Sequence, residues 1–316
     1  MAKQTMGIHH ISAIVGHPQE NVDFYAGLLG LRLVKRTVNF DDPGTYHLYF
    51  GNDSGSPGTI MTFFPWPNGR RGRVGSGQVG TTAFAVPQGS LAFWEERLAH
   101  FKVPYNHLER FGEKSIHFED PHGLKLSLVE NNQGDLSQWA IGEITPEVAI
   151  KGFAGATLWS HHPQYTESLL TNILGLEKWG AENDLLRFKA PGDIGSIIDM
   201  SLTTRQRGVT GVGTVHHIAW RTKDDGEQLE WRQLIQDQGY HVTPVQPRQY
   251  FNSIYFREHG QILFEIATDP PGFEVDETYD ELGHSLKLPE WYETQREKIE
   301  DHLQPITVPE QDQDAR

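Results

Sequence analysis

Cysteine is absent from the 316 residues. That excludes disulfides, a thiolate nucleophile and any cysteine-based zinc or iron–sulfur site. No apolar run approaches the roughly 18 residues a membrane-spanning helix requires, so none is expected. Basic residues are in short supply: 27 Lys and Arg stand against 42 Asp and Glu, a formal charge of −15. That balance argues against nucleic acid and anionic membrane as partners. The first residues lead into a strand pattern with no apolar leader core, so a cytoplasmic location is expected. Hydrophobic residues make up 37% and charged residues 22%, as in soluble globular proteins, and the length suits two domains. Any metal must be held through nitrogen and oxygen, and 16 His supply candidates.

What is present is a repeat. His17-Pro18-Gln19 returns as His162-Pro163-Gln164, and Leu29-Gly30-Leu31 returns as Leu174-Gly175-Leu176. Both matches have the same offset, 145 residues (162 minus 17, 174 minus 29), as a duplication requires. Each half reads twice as strand, helix and three further strands. The first unit has a strand at 8–15, a helix at 20–29 closed by Gly30, and strands at 31–40, 46–50 and 59–64. The Gly/Arg stretch 65–77 reads as a solvated connector. The second unit has a strand at 81–86, a helix at 90–101 and strands near 107, 115–118 and 124–129. The third runs from Phe153 through a helix at 165–174 to strands at 185–188 and 196–202. The fourth begins at Thr214, with a helix at 226–238 and strands at 241–245, 253–256 and 262–267. The fold class is therefore α+β: four βαβββ modules paired into two domains, each a curved mixed or antiparallel sheet with outer helices. The expected divisions are 1–135 and 150–270. An acidic extension, 271–316, carries a helix at 289–303 and a disordered polar end.

Three polar residues stand out in apolar strands. Strand side chains alternate between faces. His10 and Ser12 therefore share one face of the first strand, and His9, Ile11, Ala13 and Val15 share the face toward the helix. In Val215-His216-His217-Ile218-Ala219-Trp220, His217 takes the open side and His216 falls with Ile218 and Trp220. Glu265 sits between Phe264 and Ile266, where a carboxylate needs a cation or strong donors. Two imidazoles and one carboxylate form the facial triad of non-haem Fe(II), with positions open for substrate and dioxygen. The corresponding positions elsewhere in the repeat read as Gly155 for His10, Thr82 for His217 and about Ser127 for Glu265, so one metal per chain is expected. A lone strand His or Glu is more often structural. It is the three matched positions that favour a metal.

The module pattern, with His opening the first strand and Glu in the last, resembles the vicinal oxygen chelate superfamily of glyoxalases, bleomycin-resistance proteins and extradiol dioxygenases. The runs Ile8-His9-His10-Ile11, Leu33-Val34-Lys35-Arg36-Thr37, Tyr46-His47-Leu48-Tyr49-Phe50, Pro57-Gly58-Thr59-Ile60-Met61-Thr62, His216-His217 and Phe264-Glu265 resemble most closely the hydroquinone ring-cleaving dioxygenases of the 2,6-dichlorohydroquinone type. The resemblance implies Fe(II), or Mn(II) or another divalent ion, held by His10, His217 and Glu265. It also implies that His9 and His216 lie near the site, qualifying the alternation argument. Arg248 and Tyr255 would line the pocket, as would Ser12, which stands where the family has Thr. The implied reaction opens a small aromatic diphenol with O2. His9, His216 and Tyr255 are candidate acid–base groups, and Arg248 would stabilise anionic species. A homo-oligomer is expected. Rival readings are an extradiol catechol dioxygenase, a glyoxalase-type isomerase, for which a second carboxylate ligand is missing, and a non-catalytic protein that binds an aromatic drug or quinone.

Overall fold

The computed structural model describes residues 3–309. The four modules are all present. Module 1 comprises β1 (Ile8–Val15), α1 (Pro18–Val22), β2 (Arg32–Asn39), β3 (Asp42–Gly51) and β4 (Ile60–Pro65). Module 2 has β5 (Gln78–Val86), α2 (Leu91–His100), β6 (Tyr105–Arg110), β7 (Glu113–Glu119) and β8 (Lys125–Glu130). Module 3 has β9 (Gly152–Trp159), α3 (Pro163–Ser168), β10 (Glu177–Glu182), β11 (Leu185–Lys189) and β12 (Ile197–Ser201). Module 4 has β13 (Thr214–Thr222), α4 (Asp225–Asp237), β14 (Gln246–Pro247), β15 (Asn252–Arg257) and β16 (Leu263–Thr268). The helices of modules 1 and 3 each finish in a π-helical turn, Asp23–Leu28 and Leu169–Ile173.

The strands form two curved eight-stranded sheets, with order β14-β15-β16-β13-β1-β4-β3-β2 in one and β10-β11-β12-β9-β5-β8-β7-β6 in the other. The first joins module 1 to module 4, the second module 2 to module 3. In each, the opening strands of the two modules meet antiparallel at the centre, β1 on β13 and β5 on β9. Helices cover one face. Val22, Tyr25 and Leu28 from the first helix, and Trp231 and Ile235 from α4, are buried in one large core with Ile11, Ile218 and Trp220. Burying one such side chain contributes about 1.5–3 kcal/mol, so this face sets the register of the strands.

The open face of the 1/4 sheet carries a second, smaller apolar cluster: Val34, Tyr49, Ile60, Ala219, Tyr250, Phe251, Ala267, Phe273 and Leu282. Phe273 and Leu282 belong to the C-terminal extension, which lies against β2. Lys35, fully buried, is paired there with Asp276 and Glu277. The expected helix at 289–303 breaks into α5 (Glu290–Glu293) and α6 (Arg296–His302). The chain beyond stays attached, with Gln19 bonded to the Thr307 backbone at both its amide nitrogen and oxygen. The expected polar end beyond 309 lies outside the described residues. A strand at 241–245 does not form. Pro244 and Pro247 remove ladder donors, leaving the two-residue β14 and a bridge from Val242 to Phe256. The connector 65–77 pairs with the equivalent stretch between modules 3 and 4 through Arg71–Val212, Arg73–Val209 and Ser76–Arg207. No helix among the described residues is long and apolar enough to cross a membrane.

Candidate metal centre

β1, β13 and β16 lie side by side, and each brings one polar side chain to the open face. His10 opposes Ala219 across β1–β13, and Ala219 pairs with Glu265 on β16. The three donor atoms converge. Glu265 Oε2 lies 2.9 Å from His217 Nε2 and 3.3 Å from His10 Nε2, and the two Nε2 atoms are 3.2 Å apart. All three residues are buried, Glu265 completely. Two donors bound to one ion at about 2.1 Å lie about 3.0–3.4 Å apart. Glu265 Oε2 makes no hydrogen bond, while Oε1 accepts one from Ser253 Oγ. A buried carboxylate oxygen without a donor, facing two imidazole nitrogens, fits a cation. Burial lowers the pKa of His217 and keeps the ring neutral, despite Glu265 beside it. Burial also works against charge on Glu265, but the two imidazoles outweigh it and hold the carboxyl well below its ordinary range. Neutral nitrogen and ionised oxygen are the forms that bind metal.

Alternation does not describe the two His-His pairs. Ile8 opposes Trp220 and His10 opposes Ala219, so β1 takes two steps while β13 takes one. His9 is a β-bulge. Further along, Ser12 opposes His217 and Ala13 opposes Val215, which makes His216 a bulge on β13. Each bulge lets a second His join the ligand's face. His9 is therefore not under the helix but against Phe251, ring centroids 5.1 Å apart. His216 is exposed, with its ring 5.9 Å from Phe64. His9 Nδ1 lies 2.9 Å from His10 Nδ1, and His216 Nδ1 2.8 Å from His217 Nδ1. Each candidate ligand thus has its far nitrogen bonded to the His before it, which fixes ring orientation and points Nε2 at the centre.

The 2/3 sheet repeats the backbone, not the chemistry. Its bulges fall at Gly80 and Ala154. Ala83 pairs with Ser127 as Ala219 does with Glu265, and Gly155 stands in the place of His10. The residue in the place of His217 is Thr81 rather than Thr82: Ala83 stands for Ala219, and each lies two residues after the position in question. No other group of three His, Cys, Asp or Glu able to hold a metal occurs among the described residues.

A sequence model of the Glyoxalase/Bleomycin resistance protein/Dioxygenase superfamily matches residues 7–276. The chain belongs to that superfamily. Among its members, Bacillus subtilis (strain 168) MhqO, named as a ring-cleaving dioxygenase, is 62% identical over 312 residues, covering 99% of this chain and 100% of that one. A chlorohydroquinone/hydroquinone 1,2-dioxygenase of Sphingobium indicum is 33% identical over 298 residues, 91% and 92% of the two chains. A crystal structure named as a dioxygenase from Bacillus subtilis subsp. subtilis str. 168 superposes with a TM-score of 0.97 at 62% identity, covering 98% of this chain and 100% of that one. Glyoxalase I from Zea mays, at 11% identity and a TM-score of 0.60 over 83% of this chain and 92% of that one, shares the fold.

Of the remaining residues singled out in the sequence, Tyr255 and Arg248 lie beside His217, and Ser12 opposes it across β1–β13. Tyr255 opposes Glu265 in register, and its ring lies 5.8 Å from that of His217. Burial, and next the Glu265 charge, raise its pKa and keep the phenol neutral. Arg248 Nε donates to Tyr255 Oη at 3.2 Å, and the guanidinium also reaches Gln246 at 2.6 Å and Asp41 of module 1 at 3.1 Å. Ser12 Oγ is bonded to Thr62 Oγ1. Sequence reasoning missed Ser253, which holds Glu265, and Phe251, which covers the rings of His9 and His10. It also passed over His47 as a site residue; its ring joins Tyr49 to Thr62 on the same sheet.

Proposed function

We propose that this chain is a ring-cleaving dioxygenase that holds Fe(II) through His10, His217 and Glu265 and inserts O2 into a hydroquinone-type aromatic diphenol. The observation that carries the reading is the convergence of three buried donor atoms from three strands, with the carboxylate oxygen otherwise unbonded. The naming of the 62% and 33% identical relatives supports the reaction class, and the latter's name supports the para-diphenol. Bound iron supplies Lewis acidity and a path for electrons between an electron-rich ring and dioxygen.

The chain's own groups do the rest. His9 and His216 orient the two ligand imidazoles through their Nδ1 atoms. Phe251, packed on the His9 and His10 rings, and Phe64, beside His216, supply aromatic surface for a planar ring. Tyr255, neutral and within reach of the centre, is placed to donate a proton or hydrogen bond to substrate oxygen. Arg248 remains cationic despite burial and offers positive charge where negative charge develops. Its pairing with Gln246 and Asp41 fixes the fork. His216, exposed at the cup, is a second acid–base candidate, whereas His9 is enclosed and acts through His10.

The test is oxygen uptake by protein loaded anaerobically with Fe(II), hydroquinone and catechol being offered separately. Uptake with hydroquinone, lost in Glu265→Gln, is expected. Turnover of catechol alone would favour the extradiol reading. No uptake with any diphenol would favour a binding protein.

A further inference from the structure

The open face of the 2/3 sheet holds a cavity where its counterpart holds the candidate metal centre. Ser127 stands there in the place of Glu265 and Thr81 in the place of His217. Both side chains are short, and the equally short Ala83 lines the same space. Inside it, ≈ 50 Å³ is open to the centres of water molecules, room for about four of them. We propose that this cavity binds a short-chain carboxylate, with Arg110 and the hydroxyls of Thr81, Ser127 and Thr157 as its hydrogen-bond donors. The site is separate from the candidate metal centre and stands whether or not the chain is a dioxygenase.

Unspent donors outnumber unspent acceptors among the groups that line this cavity. The hydroxyls of Thr81, Ser127 and Thr157 have no hydrogen-bond partner among the described residues, although Ser127 and Thr157 are buried. Hydroxyls so placed find their partner in whatever fills the cavity. Arg110 opposes Glu113 in register, but Glu113 Oε2 pairs with Arg187, and the Arg110 guanidinium has no ion-pair partner among the described residues. Arg187 is 5% exposed. It spends three of its five N–H groups on Glu113 and, at 2.7 and 2.8 Å, on Asp199, and keeps two. Burial works against its charge, but Asp199 and Glu113 outweigh it and keep the guanidinium cationic. The Asn131 amide N–H groups are unspent as well. Against these donors stands one carboxylate oxygen without a partner, Glu113 Oε1. Both oxygens of Asp199 accept from Arg187. His117, whose pKa burial lowers to about 4, is neutral and bonded to Ser115. An occupant must therefore be rich in acceptors and answer one free guanidinium. A carboxylate does both, whereas water would satisfy the hydroxyls without supplying the charge. Val129, Ala83 and Ile197 line the remaining wall and suit a short apolar tail.

Propionate titrated into metal-free protein and followed by 15N–1H NMR tests the site without any turnover. Saturable shifts are expected at the Arg187 Nε–H and at the backbone amides of Thr81, Ser127 and Thr157, with a Kd of about 1 mM or tighter. Propionamide, which has the shape without the charge, should bind at least about tenfold more weakly. Arg110→Gln removes the free charge without breaking an ion pair. It should weaken propionate by about tenfold or more and leave the amides of the 1/4 sheet where they are in wild type. Shifts that do not saturate, or that appear only around His10 and His217, would overturn the proposal. So would propionamide binding as tightly as propionate, or undiminished binding in Arg110→Gln. Chloride displacing propionate at equal concentration would also overturn it, by making the cavity a general anion site.

Discussion

Replacing Glu265 by Gln should change stability in opposite directions without and with metal. Glu265 is fully buried; Oε1 accepts from Ser253 and Oε2 has no donor. An unsatisfied buried acceptor costs about 1–3 kcal/mol. Gln keeps the shape and lets Oε1 go on accepting from Ser253. It also places an amide NH2 about where Oε2 stands, 2.9 Å from His217 Nε2, which can accept. Metal-free Glu265→Gln should therefore be more stable than the metal-free wild type by about 1–3 kcal/mol. At about 2 °C per kcal/mol for a chain of this size, Tm rises by about 2–6 °C. With metal the order reverses. Wild type in Mn(II) at a hundredfold excess over Kd gains about 2.7 kcal/mol, or about 5 °C. The variant has lost its anionic ligand and should gain little. Calorimetry with and without Mn(II) reads both effects. A variant whose Mn(II) shift equals that of wild type, or that is clearly less stable when metal-free, would refute the assignment of the carboxylate.

Other expectations follow from single contacts. Arg248→Met should cut hydroquinone turnover more than tenfold through loss of the cation beside Tyr255, with the Mn(II) thermal shift unchanged; oxygen uptake and calorimetry check the two halves. Lys35→Met leaves Asp276 and Glu277 without their buried partner and should cost about 3–5 kcal/mol in urea denaturation. A loss under about 1 kcal/mol would show the C-terminal extension to be a weak brace. His117, in the 2/3 sheet, has its pKa lowered to about 4 by burial and then by Arg110. The unfolded chain takes up that proton below the ordinary value of 6.5, while the folded chain resists until about pH 4. Its contribution is thus complete above 6.5 and lost as pH falls toward 4. His117→Gln should flatten the acid limb of stability against pH by up to about one proton. Gly155→Ala places a Cβ 2.0 Å from Ile197 O and should destabilise by about 2 kcal/mol or more by the same urea measurement.

How much could be read from the sequence depended on whether the backbone stayed regular. His10, His217 and Glu265 were legible because each is a polar residue in a strand otherwise bound for the core. Equivalent repeat positions carry Gly, Thr or Ser instead. The modules were legible from a fixed 145-residue offset and from helix and strand periods. His9 and His216 were misplaced by alternation alone because a β-bulge leaves no mark in the sequence here. Neither position is glycine, and one extra residue moves a side chain to the other face. Pro244 and Pro247 should have demoted the strand at 241–245, since proline cannot donate to a ladder. The pairing of modules across the two halves of the chain depends on contacts between residues some 200 positions apart, such as His10 with Ala219. No local pattern encodes those contacts.

The two sheets together account for a single candidate centre among the described residues. Both have a bulge in each central strand, so the geometry that brings paired residues to the open face is common to all four modules. In the 1/4 sheet the bulged positions hold imidazoles, each locking a ligand ring from behind. In the 2/3 sheet they hold Gly80 and Ala154, and a Cβ at Gly80 would lie 2.2 Å from the Trp159 ring. Gly155, in the place of His10, has no room either. A His in the place of Gly155 would therefore fail sterically before any ion was bound. The bulges provide a face on which neighbouring side chains can cooperate. What chemistry results is decided by whether those positions have room for imidazoles, and only modules 1 and 4 carry them.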